Sequence, residues 1–113
     1  MKKLLGLVTV FTILVVACSK DDDKNETVDC STVNTNFTAS VNPLIQSNCA
    51  KPDCHGNGSL NGPGPLTSYA QIFAAKARIR TAVANGDMPR DRTFSAQEKA
   101  IITCWIDAGA PNN

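Results

Sequence analysis

The 113-residue sequence is poor in the groups that most enzymes and nucleic-acid-binding domains need. It has one His and shows no Ser-His-Asp set, paired-carboxylate motif or phosphate-binding glycine loop, so acid–base catalysis has few groups to use. Its net charge of +1 argues against a nucleic acid as partner, because phosphate binding needs a basic excess. Strand-like alternation is absent, and the length allows one small domain at most. The sequence therefore predicts a small all-α domain that is not an enzyme.

The sequence also lacks an apolar run long enough to span a membrane, but its first residues are typical of an export signal. Lys2 and Lys3 precede the apolar run Leu4 to Ala17, which is shorter than the ~20 residues of a transmembrane helix. The run ends in Val-Val-Ala-Cys18, which resembles the lipobox of bacterial lipoproteins, where the signal is cut before a Cys that is then acylated. We expect residues 1–17 to be a lipoprotein signal peptide and Cys18 to carry the lipid anchor. The alternative is an ordinary signal peptide.

The segment that follows Cys18 has almost no apolar residues. Ser19 to Asp29 cannot bury surface, so we expect residues 18–36 to be a lipidated polar tether in front of a folded domain, 37–113. The Ser-Lys-Asp-Asp-Asp run also resembles the acidic signals that send some lipoproteins to the outer face of the outer membrane, although a plain spacer fits it equally. The expected location is a bacterial membrane outside the cytoplasm, with the outer membrane favoured, on its periplasmic or cell-surface face.

Two capping boxes predict the main helices of the domain. Ser68-Tyr69-Ala70-Gln71 predicts a helix that Asn85-Gly86 ends. Ser95-Ala96-Gln97-Glu98 predicts another helix, over about Ala96 to Ala108, which a following Gly and Pro terminate. Both helices have an apolar face for a small core.

A shorter helix and a long loop are predicted ahead of these two. Ser40 is a candidate cap for a helix that has Pro43 in its first turn. The stretch from Cys49 to Pro65 is so rich in Gly, Pro and Asn that it predicts a loop. Because large apolar side chains are few, we also expect something other than the chain to fill part of the centre.

The loop contains the only His of the chain beside two of its five Cys. Cys49-Ala50-Lys51-Pro52-Asp53-Cys54-His55 reads C-x₄-C-H, whereas the haem c attachment signal is C-x₂-C-H. In that signal two thiols bond the porphyrin vinyl groups and the His ligates the iron. Cys54-His55 keeps one thiol and the ligand in order, and the two extra residues only lengthen the loop. The loop therefore predicts either covalent haem c on Cys49 and Cys54, with His55 as an axial iron ligand, or, equally from this spacing alone, a plain disulfide between the two Cys.

If a haem is bound, few side chains of this sequence can serve as the second axial ligand of its iron. The chain has no second His, and the one Met after the signal peptide is Met88. Pro89 favours an extended conformation at Met88 and stiffens the loop. A His/Met ligand pair raises the reduction potential of haem iron. Elimination therefore selects Met88.

The order of these motifs resembles that of small bacterial cytochrome c domains, over about residues 37–111. Four stretches carry the resemblance, and the last is the most specific: Cys54-His55-Gly56, Met88-Pro89, Ser95-Ala96-Gln97-Glu98 and Trp105-Ile106-Asp107-Ala108-Gly109-Ala110-Pro111. The chain departs from the pattern in its C-x₄-C spacing and at Arg90, where the family often has a second Pro. The resemblance implies three to four short helices around one covalent haem, and electron transfer to a redox partner protein or respiratory component.

Cys30 and Cys104 are left over once Cys49 and Cys54 are assigned to haem. We expect a disulfide between them, which would close a loop of about 75 residues and join the start of the domain to its last helix. Four arginines are candidates to pair with haem propionates or to form a solvated face: Arg78, Arg80, Arg90 and Arg92.

Two other interpretations stay open. In the first, the four Cys form two disulfides, Cys49–Cys54 and Cys30–Cys104, in a haem-free surface lipoprotein that acts as a binding module. In the second, the haem is present but Met88 does not ligate the iron, and the open site binds a small gas or acts as a weak peroxidase. A zinc site is a weaker rival, because the spacing matches no structural zinc pattern.

Overall fold

The regular structure of the domain is helical throughout the part that a computed structural model describes, residues 27–113. A 3₁₀ turn, Cys30–Thr32, is followed by a π-helical turn, Phe37–Val41, that continues directly into helix α1, Asn42–Asn48. Helix α2 spans Tyr69–Ala84 and helix α3 spans Ala96–Asp107. The prediction of an all-α fold with three to four short helices is confirmed.

Both predicted capping boxes are present. The Ser68 hydroxyl accepts from the Gln71 amide at 3.3 Å, and the Gln71 side chain accepts from the Ser68 amide at 3.2 Å. The Ser95 hydroxyl accepts from the Glu98 amide at 3.1 Å, and the Glu98 carboxylate accepts from the Ser95 amide at 2.9 Å. Each box pairs backbone donors that a helix leaves unsatisfied at its first turn, which explains why α2 and α3 begin where the sequence predicts.

The first helical segment begins earlier than predicted, and Ser40 does not cap it. The cap is Asn36, whose side-chain oxygen accepts from the Ala39 amide at 2.8 Å, while Ser40 lies inside the π-helical turn. The start of this turn is fixed from the other end of the chain, because the Phe37 amide donates to the side-chain oxygen of Asn113 at 2.8 Å. The prediction at Ser40 was therefore wrong: the cap is the local contact of Asn36 with Ala39, and only the contact with Asn113, 76 residues away, has no local signal.

The core is built around Trp105, whose side chain is 0% exposed. The Phe37 ring stacks on it at a centroid distance of 5.4 Å, and the Tyr69 ring meets Phe37 edge-on at 5.1 Å. Aliphatic residues from the π-helical turn and from α1, α2 and α3 surround these rings, and those that are fully buried are Val41, Ile45, Ile72, Val83 and Ile102. Because burial of an aromatic side chain contributes a large apolar area, this cluster holds the three helices together.

The Trp-Ile-Asp-Ala-Gly-Ala-Pro stretch acts as a structural clasp at the end of α3. The Trp105 indole nitrogen donates to the carbonyl of Pro111 at 2.9 Å, and the Tyr69 hydroxyl donates to the carbonyl of Ala110 at 2.9 Å. Gly109 ends the helix with φ +96°, a conformation that side chains disfavour. Asp107 forms a two-pronged ion pair with Arg80 of α2, at 2.6 and 2.8 Å. The motif therefore fixes α3 to α2 and the chain end to the core.

The expected disulfide between Cys30 and Cys104 is present. It links the 3₁₀ turn to α3, where Cys104 is buried beside Val33 and Ala100. This small second cluster lies apart from the main core and is made by the N-terminal arm against α3. The bond therefore holds the N-terminal arm around Cys30 against α3.

Several sequence predictions fall on residues that the structure does not describe. The signal peptide, 1–17, the lipidated Cys18 and the tether up to residue 26 all lie outside the described part of the chain. No helix within residues 27–113 has the length and apolar character needed to cross a membrane.

The disulfide gives a first prediction. Replacing Cys30 and Cys104 together by Ala should lower the free energy of unfolding by about 4 kcal/mol, because the unfolded chain loses a long closed loop. Urea unfolding of both proteins checks this value, and wild type unfolded with a reductant serves as the control because it should show the same loss. Equal stability of variant and wild type would contradict the role given to the bond.

Candidate functional site

The chemistry-bearing residues named in the sequence analysis line one cavity of about 510 Å³. Cys49, Cys54 and His55 line it from one loop, and Met88 lines it from the segment between α2 and α3. The remaining wall is largely apolar and includes Ile45, Leu66, Ile79 and Val83. Cavities of about 300–1,000 Å³ with apolar walls and a few polar groups are typical of cofactor and small-molecule sites. The structure thus brings together side chains that are up to 39 positions apart in the sequence.

His55 is the buried polar residue of this site, with 6% of its surface exposed. Its ring nitrogen Nδ1 lies 3.0 Å from the carbonyl oxygen of Gly64. A carbonyl only accepts, so in the neutral ring Nδ1 carries the proton and Nε2 carries the lone pair. The His55 backbone is fixed as well, because its amide donates to the Cys49 carbonyl at 2.9 Å and its carbonyl accepts from the Leu66 amide at 2.8 Å.

The second ring nitrogen of His55 is available to a ligand. Nε2 has no hydrogen-bond partner among residues 27–113, whereas every fully enclosed side-chain nitrogen or oxygen in that part of the chain has one. Nε2 therefore keeps access to the cavity that the ring lines. An imidazole whose Nδ1–H is held by a backbone carbonyl is the common arrangement of a metal-ligating His, because the hydrogen bond fixes the tautomer and the ring orientation.

Gly56 makes the tight turn after His55 possible. A Cβ atom at this position would lie 2.7 Å from the carbonyl oxygen of Lys51 and 3.1 Å from the Cα of Pro52. The same Lys51 carbonyl accepts from the amides of Cys54 and Gly56, at 3.0 and 2.8 Å. The loop is therefore folded back on itself, with no room for a side chain at Gly56.

Cys49 and Cys54 are both free thiols in the structure. Cys49 is 8% exposed, whereas Cys54 is half-buried. Burial raises the pKa of Cys49 to about 11, and the neighbouring Cys54 and Asp91 act in the same direction. The second disulfide of the haem-free interpretation, Cys49–Cys54, is thus not formed here, and the two thiols remain available for another bond.

Met88 lies in the segment that joins α2 to α3. Its side chain is half-buried at the cavity, and the following Pro89 is buried. The Met88 amide donates to the carbonyl of Ala82 in the last turn of α2 at 3.1 Å. The thioether thus belongs to a segment that is attached to α2 and faces the same cavity as His55.

The structure separates the four candidate arginines into two pairs. Arg80 is bound to Asp107, and Arg92 is bound to Glu98 at 2.6 and 3.1 Å, so both have carboxylate partners within the protein. Arg78 and Arg90 line the cavity, are exposed, and form no ion pair among residues 27–113. These two guanidinium groups are therefore free to bind an anionic group at the cavity mouth.

No group of three or more His, Cys, Asp or Glu side chains in the described part of the chain is placed to hold a bare metal ion. Comparisons of the chain with protein-family models, with curated proteins and with solved structures gave no match. The sequence motifs and the geometry of the site are therefore the basis for assigning a function.

Two contacts of the site were not anticipated from the sequence. The carbonyl of Gly64 has no sequence signal, because any residue offers a backbone acceptor. The ion pair between Lys51 and Asp91 joins two loops 40 positions apart, and only its opposite charges could have suggested it. The importance of Gly56, in contrast, could be recognised from the sequence, because it directly follows Cys54-His55 in the Cys-His-Gly motif.

Substitution of Gly56 tests the turn. Gly56→Ala should lower the free energy of unfolding by about 1–3 kcal/mol, because the added methyl group meets backbone that has to move. Gly62→Ala is the matched control, since a Cβ there would meet only the Arg78 side chain, at 3.7 Å. Thermal or urea unfolding of the two variants checks the difference, and a Gly56→Ala protein as stable as Gly62→Ala would contradict it.

The raised pKa of Cys49 predicts a pH dependence in the folded, haem-free chain. The folded pKa, about 11, exceeds the ordinary value of 9.0, so the folded state retains a proton that the unfolded state loses. This stabilising contribution is complete below pH 9 and is lost as the pH rises through about 11. The alkylation rate of Cys49 should accordingly keep rising up to about pH 11. A plateau near pH 9, seen by mass analysis of timed iodoacetamide reactions, would contradict it.

Proposed function

We propose that the protein is a lipid-anchored, monohaem c-type cytochrome that transfers electrons outside the cytoplasm. The observation that carries this proposal is the state of His55, a buried imidazole whose Nδ1 is bound by the Gly64 carbonyl and whose Nε2 is free at the cavity. A free, oriented Nε2 beside two unpaired thiols is the donor set that covalent haem requires.

Cys49 and Cys54 would form the covalent bonds to the haem vinyl groups. Both thiols line the cavity and neither takes part in a disulfide. The turn through Lys51 and Gly56 brings the two ends of the C-x₄-C segment back toward each other, with the His55 amide bound to the Cys49 carbonyl. This compact turn supports attachment through both thiols in spite of the longer spacing.

The axial ligands would be His55 on one side of the ring and Met88 on the other. Both residues line the same cavity and come from different loops. Met88 is the one thioether among residues 18–113, so the structure offers no competing sulfur ligand of this kind. A His/Met pair holds haem iron at a higher potential than a pair of nitrogen ligands would.

The rest of the cavity suits the two faces of a porphyrin. Its apolar wall, which includes Ile45, Leu66 and Ile79, would exclude water from the ring. Arg78 and Arg90, which have no carboxylate partner in the described residues, would bind the propionate groups through charge-assisted hydrogen bonds.

Haem of this kind supplies one-electron chemistry, with the iron moving between two oxidation states. The residues of the chain hold the ligands still, keep water from the ring and set the potential. With His55 and Met88 both holding the iron, no position would be left open to a substrate, which fits an electron carrier better than an enzyme. The partner is then a redox protein or respiratory component, reached from a membrane to which the lipid on Cys18 would anchor the domain.

A methionine variant tests the proposal. Met88→Ala should keep the covalent haem but lower the midpoint potential, because a sulfur ligand that favours reduced iron is lost. Redox titration followed by absorbance measures this change. Leu60→Ala is the matched control: Leu60 is fully exposed on the same loop as His55, and its removal should leave the potential unaltered.

Three other results would contradict the proposal. An unchanged potential and spectrum in Met88→Ala would exclude Met88 as a ligand. Binding of carbon monoxide by the reduced wild type as strongly as by the variant would support an open, gas-binding site. A colourless wild-type protein from cells that attach haem would support the haem-free binding module.

A further inference from the structure

The segment that carries Met88 is tied across the cavity to the segment that carries Cys49. The Lys51 ammonium pairs with the Asp91 carboxylate, and both groups are partly exposed, at 38% and 51%. The next residue, Arg92, donates from its guanidinium Nε to the side-chain oxygen of Asn48, three positions before Lys51, at 2.7 Å. Residues 48–51 and 91–92 thus meet at two polar contacts.

These contacts border the cavity. Asn48, Cys49 and Asp91 all line the cavity, and the charges of Lys51 and Asp91 are close enough to influence the Cys49 thiol. Apart from these two ties, the segment between α2 and α3 is held by the Met88 amide at Ala82, by the ion pair of Arg92 with Glu98 of α3, and by its own buried Pro89 and Phe94. The polar ties are therefore what joins the Met88 side of the cavity to the Cys49 side.

We propose that Lys51 and Asp91 are positioning residues whose ion pair closes the Met88 segment over the cavity. The closing itself is a property of the chain, and its effect on an iron ligand rests on the function proposed above. An exposed ion pair contributes little to the free energy of global unfolding. Here that small free energy opposes one local motion, the opening of the Met88 segment. Its loss should raise the open fraction by roughly two- to fivefold.

The first test uses the haem-free full chain and the alkylation rate of Cys49. Lys51→Met keeps the aliphatic stem and removes the charge. If the pair closes the segment, iodoacetamide should reach Cys49 roughly two- to fivefold faster in the variant. If the charge acted only through electrostatics, loss of a positive neighbour would disfavour the thiolate, and alkylation would be slower. The two explanations therefore predict opposite signs, and a slower or unchanged rate overturns the proposal.

Two further variants control this measurement. Arg80→Met removes one positive charge and breaks an ion pair of the same kind, between α2 and α3 and away from the Met88 segment, so Cys49 alkylation should stay at the wild-type rate. Lys51→Arg keeps the charge and should restore the wild-type rate. Equal acceleration in Arg80→Met would mean a general loss of stability and would overturn the positioning role.

The second test uses the haem-loaded protein and imidazole, a neutral probe that competes with Met88 for the oxidised iron. Its affinity should rise roughly two- to fivefold in Lys51→Met and in Asp91→Asn, with no further gain in the double variant, because both changes break one pair. Unchanged affinity would overturn the link to Met88. If the chain took up no haem, the proposed function would fail, whereas the alkylation result would still decide whether the ion pair closes the segment.

Discussion

The hydrogen bond between His55 Nδ1 and the carbonyl of Gly64 is the contact on which the site depends. It decides which ring nitrogen carries the proton and leaves Nε2 free at the cavity. The bond exists because the loop from Cys49 to Pro65 folds back on itself, with Gly56 at the point where no side chain fits. The loop has no regular secondary structure, so its own hydrogen bonds and the packing of Leu66 hold it in place.

The helices next to this loop are held in fixed positions by the core, the chain end and the disulfide. Trp105 and Phe37 stack at the centre, and the chain end is fastened to the π-helical turn through Asn113. The disulfide from Cys30 to Cys104 adds a covalent link on the side of α3, which contributes none of the cavity lining. The clasp and the disulfide thus contribute nothing to the cavity wall, whereas core residues such as Ile45 and Val83 form part of it, and loops carry the chemistry.

The helices could be predicted from the sequence better than the site. Ser68 and Ser95 begin helices through contacts three residues away, so a local pattern was sufficient. Asn36 also caps through an amide three residues away and was overlooked in favour of Ser40, whereas the contact with Asn113 that fixes the start of its turn has no local signal. Cys49, Cys54, His55 and Met88 were selected by residue type, and the structure places them around one cavity. Their supports, a backbone carbonyl and a cross-loop ion pair, have no local signal and need three-dimensional structure.

The central claim is that Cys49 and Cys54 hold a haem by covalent bonds, with His55 below the metal. Intact-mass measurement on the full chain, expressed in cells that mature c-type cytochromes, tests this claim most directly. The account predicts a coloured protein whose mass exceeds that of its residues and lipid by one haem, with neither Cys49 nor Cys54 open to alkylation after unfolding. A folded, colourless protein with the mass of residues and lipid alone, and with both thiols reactive, would contradict it.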